Sequence, residues 1–262
     1  MAGRQIMGIV NVTPDSFYDG GRFYGIEQAV QHGKLLADQG ADILDIGGES
    51  TRPGSNPVSE DEELSRVIPV ISELKKQVEI PLSIDTYHPK VAQAAIEYGA
   101  AIINDITGFE NPLMREIAAE HDVDICVMHM LGKPKTMQND PTYDKGVVND
   151  LMDWFKLRIE LLIASGVRPE RIILDPGIGF GKTVADNLEI LQNLPQFKTL
   201  GFRLLIGLSR KTFMSKILGK PHNQLLAATI AMNTWSFING ADIVRVHDVI
   251  EHKDMLTLIN AL

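Results

Sequence analysis

Asp85, Asn104 and Asp175 each stand at the end of a short apolar run, where a strand should give way to a loop. Carboxylates there can accept paired N–H donors, so Asp85 and Asp175 suit a ring with an amidine-like edge. Asn104 offers a donor and an acceptor together. A second group is cationic: Arg52, Lys211, Arg245 and His247. That set suits a phosphate or a carboxylate. Asn11 ends the first apolar run. A lone amide is a weak ligand for a hard cation and suits Mg²⁺ only where substrate phosphate and water complete the shell. Glu49 (beyond Asp45), Asp105, His129 and Ser209 mark other run ends. Loop polarity alone would favour Ser, Gly, Lys and Glu there, not Asp or Asn directly after three runs.

The elements that must position these groups alternate in type. Short apolar runs lie near Ile6–Val10, Ile43–Ile46, Leu82–Ile84, Ile102–Ile103, Ile125–Met128, Ile172–Leu174, Leu204–Gly207 and Ile243–Val246. Each is too short for a helix and nearly all apolar, as parallel strands covered on both faces are. Helical patterns follow near Ile26–Gln39, Glu60–Gln77, Pro89–Tyr98, Pro112–Glu120, Val147–Ser165, Val184–Asn193, Leu225–Asn239 and Val249–Ala261. Ser59 with Glu62 forms a capping-box pattern, and Gly40, Gly99 and Gly240 close helices before Ala-Asp-Ile or Ala-Ala-Ile. Such alternation predicts one α/β domain over residues 1–262, a (β/α)8 TIM barrel, with a doubly wound open sheet as the alternative. A barrel keeps its chemistry at the C-terminal strand ends, and loops seven and eight, which carry Lys211, Arg245 and His247, often hold a phosphate.

Two long Gly/Pro-rich segments, 11–25 and 47–59, read as lids over that end and carry Phe17 and Arg52. PGIGFGKT at 176–183 imitates a phosphate loop but has Pro where the first Gly belongs, so it reads as a tight turn with close backbone approach. Cys126 falls in an apolar strand and reads as buried and inert. His129 reads as a loop anchor rather than a catalyst. Met128 ends the fifth strand and faces either the mouth or the core.

Composition narrows the class. The 262 residues carry 25 Lys+Arg against 34 Asp+Glu, net −9, which disfavours nucleic acid as a partner. With 44% hydrophobic and 23% charged residues the chain is an ordinary globular one. One cysteine forbids an internal disulfide and fits a reducing, cytoplasmic setting. No apolar run is long enough for a membrane span, and the start lacks a signal peptide's apolar region.

The segments NVTPDSFYDGG (11–21), DIGGESTRPG (45–54), SIDTY (83–87), INDITG (103–108), DPGIGFGKT (175–183), GLSRK (207–211) and VRVHDV (244–249) together resemble the dihydropteroate synthase family of pterin-binding enzymes. No stretch is left over for a fused pyrophosphokinase, so the resemblance is to the monofunctional form. It implies a TIM barrel that joins 6-hydroxymethyl-7,8-dihydropterin diphosphate to p-aminobenzoate with release of pyrophosphate, in folate biosynthesis. By motif, Asp85, Asn104, Asp175 and Lys211 would line the pterin pocket, with Met128 added by position. Asn11, Arg52, Arg245 and His247 would serve the diphosphate, and Asn11 its Mg²⁺. Phe17, Thr51, Arg52, Pro53, Phe180, Ser209 and Lys211 would lie by p-aminobenzoate, the position sulfonamides imitate. Asp85, Lys211, Arg245 and His247 are the expected catalytic set, acting in an SN1-like substitution. The family also implies a homodimer through outer helices of the C-terminal half. Tyr18 and Leu131-Gly132-Lys133 depart from the usual pattern in loop detail only. Two rivals are a pterin-binding methyltransferase domain, which has no use for Thr51-Arg52-Pro53 or Ser209-Arg210-Lys211, and a non-catalytic pterin-binding paralogue.

Overall fold

A computed structural model describes residues 3–13, 21–50 and 54–262 of the chain. Eight strands run parallel and pair in sequence order: β1 Gln5–Asn11, β2 Ile43–Gly47, β3 Leu82–Asp85, β4 Ile102–Asp105, β5 Asp124–Met128, β6 Ile172–Asp175, β7 Arg203–Ile206 and β8 Ile243–Val246. Pairing of β8 with β1, Gln5 opposite Ile243, closes the barrel. The open-sheet alternative is thereby excluded. Helices α1 Gly21–Asp38, α2 Glu60–Lys75, α3 Pro89–Glu97, α4 Pro112–His121, α5 Val147–Ala164, α6 Val184–Gln192, α7 Leu194–Lys198, α8 Thr212–Leu218, α9 Leu226–Ile238 and α10 Val249–Ala261 surround it.

The helix ends follow their local chemistry. Ser59 Oγ accepts from the Glu62 N–H at 3.3 Å. Only half of the expected capping box forms, because the Glu62 carboxylate turns to Arg66 instead. A complete box stands at Thr183 and Asp186, before α6. Gly40, Gly99 and Gly240 all take positive φ at the αβ joints, as expected of them.

Three helical segments differ from the sequence pattern. Helix α1 starts at Gly21, five residues ahead of the apolar stripe that begins at Ile26; its first five residues include two glycines, which weaken a helical signal. Helix α8 is too short to show a period, since it buries only Phe213 and Met214. Helix α7 starts on a Leu-Pro pair that looks like a helix stop, but Pro is tolerated in a first turn.

Two cores result. Alternate strand residues such as Ile6, Val10, Leu44, Ile46, Ile84 and Val244 pack outward against the helices. Met7, Ile43, Ile102, Cys126, Ile173, Leu205 and Ile243 fill the barrel interior as an apolar layer. Cys126 is fully buried there, as its strand position implies, and burial pushes its thiol pKa well up. This layer is the floor on which the polar residues stand.

Candidate functional site

Strand side chains repeat on one face every second residue. Two residues past members of that layer lie Asp45, Asn104, Met128, Asp175 and Arg245, and Asp85 lies two past Ser83, which pairs with Ile102 in register. They therefore form a second, polar layer on the same lumen face, towards the C-terminal end. One further step brings Asn11 on β1, Gly47 on β2 and His247 just past β8. Six of the sequence-selected residues, Asn11, Asp85, Asn104, Asp175, Arg245 and His247, thus converge on one mouth because they share a register.

Arg245 organises one side of it. Its Nε donates to Asp45 Oδ2 at 2.6 Å and its Nη2 to Asp85 Oδ2 at 2.8 Å. Asn104 Nδ2 donates to the same Asp45 oxygen at 3.1 Å. Asp45 is fully buried, and its other oxygen has no partner among the described residues. Burial works against the Arg245 charge, but Asp45 and then Asp85 outweigh it and raise its pKa. Burial pushes Asp85 above the ordinary carboxylate range, Arg245 opposes this, and the Asp45 charge adds to the rise. The shared Arg245 guanidinium is thus the chief influence favouring the ionised form of Asp85 against burial.

Across the mouth, Asp175 Oδ1 accepts from the Gly177 N–H at 2.8 Å. Burial raises its pKa; that hydrogen bond and the Lys211 charge oppose the rise. Burial in turn lowers Lys211, with Asp175 opposing. Lys211 arrives by a tight turn: its N–H bonds Leu208 O at 3.0 Å, and Arg210 takes φ 58° within it. A left-handed non-glycine residue costs about 1 kcal/mol, and the Arg210–Asp248 ion pair at 2.6 Å helps hold it. The Lys211 ammonium lies 4.1 Å from the Phe180 ring centroid, over its face. Ser209 Oγ stands 2.9 Å from His247 Nδ1, which ties the loops after β7 and β8 together.

The loop after β6 is built for close approach. Gly177 has φ 66°, and a Cβ there would lie 2.0 Å from the His129 carbonyl oxygen. Gly177→Ala is therefore expected to lower stability by about 3 kcal/mol, combining left-handed strain with a backbone clash. Thermal unfolding should show a Tm lower by roughly 8 °C; an unchanged Tm would mean that the loop yields freely.

The family model of the pterin binding enzymes matches residues 7–247. A dihydropteroate synthase of Clostridium beijerinckii is 48% identical over 250 residues, covering 95% of this chain and 90% of that protein. The chain belongs to the dihydropteroate synthase family. Among solved structures, Xanthomonas albilineans dihydropteroate synthase with 4-aminobenzoic acid superimposes with a TM-score of 0.93 at 43% identity, covering 99% of this chain and 93% of that one. The same enzyme in complex with 7,8-dihydropteroate superimposes at 0.90 and 41%, with the same coverage.

The motif residues of the dihydropteroate synthase family divide by position. Phe17, Thr51, Arg52 and Pro53 lie outside the described residues. Met128 is buried on the lumen face beside Asp175 in register, which settles it toward the mouth. Three run-end residues point elsewhere. Asp105, one residue past Asn104, faces outward and accepts from the N–H groups of Thr107 and Phe109, capping its own loop. Glu49 accepts from Tyr87 Oη at 3.0 Å and from the Val58 N–H at 3.2 Å. Glu63 and His88 lie close enough to Glu49 to share an ion, but these two already pair at 2.7 Å. The group anchors the segment after β2.

His129 is the loop anchor its position suggests. It is buried edge-on against Trp154, and burial followed by the Lys182 charge pushes its pKa down to about 2. Lys182 donates to His129 Nδ1 at 3.1 Å, His129 O at 3.3 Å and Phe180 O at 3.0 Å. Three donors with three acceptors leave none for a phosphate, consistent with the failed phosphate-loop pattern. Sequence reasoning passed over Asp45 and Lys182. Asp45 lies inside an apolar run, and the period of two that places Asp85 would also have placed it.

Proposed function

We propose that this chain condenses 6-hydroxymethyl-7,8-dihydropterin diphosphate with p-aminobenzoate, giving 7,8-dihydropteroate and pyrophosphate in folate biosynthesis. The observation that carries the reading is the polar layer of Asp85, Asn104 and Asp175, faced by Lys211 and Arg245, above an apolar floor. The aminopyrimidine edge of a pterin presents adjacent N–H donors, and Asp85 and Asp175 supply the acceptors. An analogue without those donors would leave buried carboxylates unpaired, so the site discriminates by that cost. Lys211 and Asn104 complete the polar contacts to the ring, and Met128 gives an apolar one.

The aniline nitrogen of p-aminobenzoate is already neutral near pH 7 and needs little help from a base. The demanding step is departure of the diphosphate. We place the reaction as a dissociative substitution: the methylene carbon–oxygen bond breaks, its electron pair leaves with pyrophosphate, and the ring delocalises the resulting cation. The ionised Asp85 stabilises that cation. The amine nitrogen then forms the new carbon–nitrogen bond and releases a proton to solvent. Arg245, His247 and Arg52 neutralise charge on the leaving group. Phe180, Ser209 and Lys211, with Phe17, Thr51 and Pro53, receive p-aminobenzoate. The two long loops exclude water, which would otherwise capture the cation.

Asn11 offers one neutral oxygen at the mouth. This suits a Mg²⁺ shared with the diphosphate rather than a resident ion, because octahedral coordination needs further oxygens. Bound there, Mg²⁺ would offset charge on the leaving group. No helix among the described residues is long and apolar enough to cross a membrane. We assign the enzyme to the cytoplasm, on its single buried cysteine. We assign it a homodimer through the outer C-terminal helices, where Trp235, Ile238, Ile250 and Leu258 are exposed; light scattering reads that mass directly.

The test is pyrophosphate release from the pterin diphosphate with Mg²⁺, with and without p-aminobenzoate. Release that requires p-aminobenzoate and yields dihydropteroate supports the reading. Tight pterin binding without turnover favours the non-catalytic paralogue. The pH dependence of kcat/KM should be bell-shaped. Asp85 and Asp175 must be ionised to accept, and both are raised, so the acid limb lies above the ordinary carboxylate range. Lys211 must be protonated to donate, and it is lowered, so the alkaline limb lies below the ordinary lysine range. Lys211→Arg should move the alkaline limb up and leave the acid limb in place.

A further inference from the structure

Four successive carbonyls in the loop after β6 are each held by a different side chain. Gly179 O accepts from Gln138 Nε2 at 2.6 Å and Phe180 O from Lys182 Nζ at 3.0 Å. Gly181 O accepts from Tyr143 Oη at 2.8 Å and Lys182 O from Asn187 Nδ2 at 3.4 Å. Buried carbonyls are usually satisfied by regular structure. This arch has none, since Gly177, Gly179 and Gly181 all take positive φ, so side chains satisfy it instead. Two of the donors, Gln138 and Tyr143, come from the segment after β5.

The arch carries the seat of Lys211. A Cβ on Gly179 would lie 3.3 Å from Lys211 Cδ, so the lysine stem runs against the loop backbone. Its ammonium ends over Phe180, the residue between the Gln138 and Tyr143 ties. A cation–π contact weakens as the ring turns or retreats, so the Phe180–Lys211 geometry depends on where the arch is held. Lys182 is buried with its hydrogens taken up by His129 and Phe180, which places its role behind the loop rather than in the mouth.

We propose that Lys182 and Tyr143 are positioning residues for p-aminobenzoate: by holding the successive carbonyls of Phe180 and Gly181 they fix the ring that, with Lys211, forms one wall of that subsite. The inference rests on the reaction proposed above. The pterin side depends on it less. Asp175 is held by the Gly177 N–H and Lys211 ahead of the more weakly acting Lys182 charge.

Lys182→Met should raise the KM for p-aminobenzoate about tenfold, the loss expected for a charge-assisted hydrogen bond. Tyr143→Phe, near-isosteric and compatible with folding, should raise it about threefold, as for a neutral bond. The KM for the pterin diphosphate should stay within about twofold in both variants, because its carboxylate acceptors keep their own partners. In a Phe180→Leu background either substitution should add little, since its effect runs through that ring. An unmoved p-aminobenzoate KM in Tyr143→Phe overturns the inference whether or not Lys182→Met folds. So does a pterin KM that rises equally, or a full additional effect without the Phe180 ring. Wild-type turnover is measured alongside. Its absence overturns the reaction and the inference together, whereas normal wild-type turnover with unmoved variants overturns the inference alone.

Discussion

Replacing Lys211 by alanine is expected to lower kcat/KM by about a thousandfold, roughly 4 kcal/mol of transition-state stabilisation, and to leave the fold nearly as stable as before. The asymmetry follows from what the ammonium touches. Among the described residues its contact is the face of Phe180, worth about 1 kcal/mol, and its stem lies on the Gly179 backbone. No buried protein carboxylate takes its hydrogen bonds, so truncation orphans nothing in the core. In the reaction proposed above its donors serve the substrate instead. The loss for activity has a second part. Asp175 already sits above the ordinary carboxylate range through burial, and the Lys211 charge is among the few influences holding it down. Without that charge the Asp175 pKa rises further, which favours the protonated form and weakens it as an acceptor at the proposed pterin edge. Steady-state kinetics beside thermal unfolding decides the matter. Retained activity would remove Lys211 from the pocket, and a Tm falling by roughly 10 °C would make it a core residue instead.

The sequence carried the barrel and much of the mouth because both depend on one period. A parallel strand covered on both faces is an apolar run, and its end marks the lumen position. Asp85, Asn104, Asp175 and Arg245 were found on that logic. The same rule also picks out Glu49 and Asp105, which point away from the mouth, since the residue beyond a run can face either way. Ile102 lies in the interior layer, so Asn104 must share its face and Asp105 must oppose it. That parity was available in the sequence but needs the register of a neighbouring strand to become decisive. Asp45 was missed for the opposite reason: ILDIG reads as core, and a buried charge inside it looks like an interruption.

What lay beyond the strands was less legible. Lys211 owes its place to a turn with Arg210 in the left-handed region, and no spacing rule encodes that. The GKT segment looked like a failed phosphate loop, and the failure was real. What replaced the phosphate, a lysine clasping carbonyls from two loops, depends on the side-chain directions of His129, Gln138 and Tyr143. Those are set by how the segments after β5 and β6 pack together. Local propensity has no access to such contacts, which is why the loops were read only as lids and tight turns.

Arg245→Ala should differ from Lys211→Ala in kind, because this cation is committed to the protein as well as to its proposed role at the diphosphate. Its guanidinium holds Asp45 at 2.6 Å and Asp85 at 2.8 Å. Asp45 is fully buried, and with Arg245 gone it keeps, among the described residues, only the Asn104 amide. Breaking a buried pair by removing one partner costs about 3–5 kcal/mol, so Tm should fall by roughly 10 °C. Catalysis should suffer separately. The KM for the pterin diphosphate should rise and kcat should fall, because a charge-neutralising contact strengthens as the diphosphate leaves. The two losses can be separated by removing the orphaned charge as well. Asp45→Asn in the Arg245→Ala background should recover much of the stability, since an amide tolerates that burial where a carboxylate does not. It should restore none of the activity, since no cation returns to face the diphosphate. Recovery of both together would mean that Arg245 serves only to neutralise Asp45. Recovery of neither would mean that the guanidinium's packing against the barrel wall, rather than its charge, is what the fold requires.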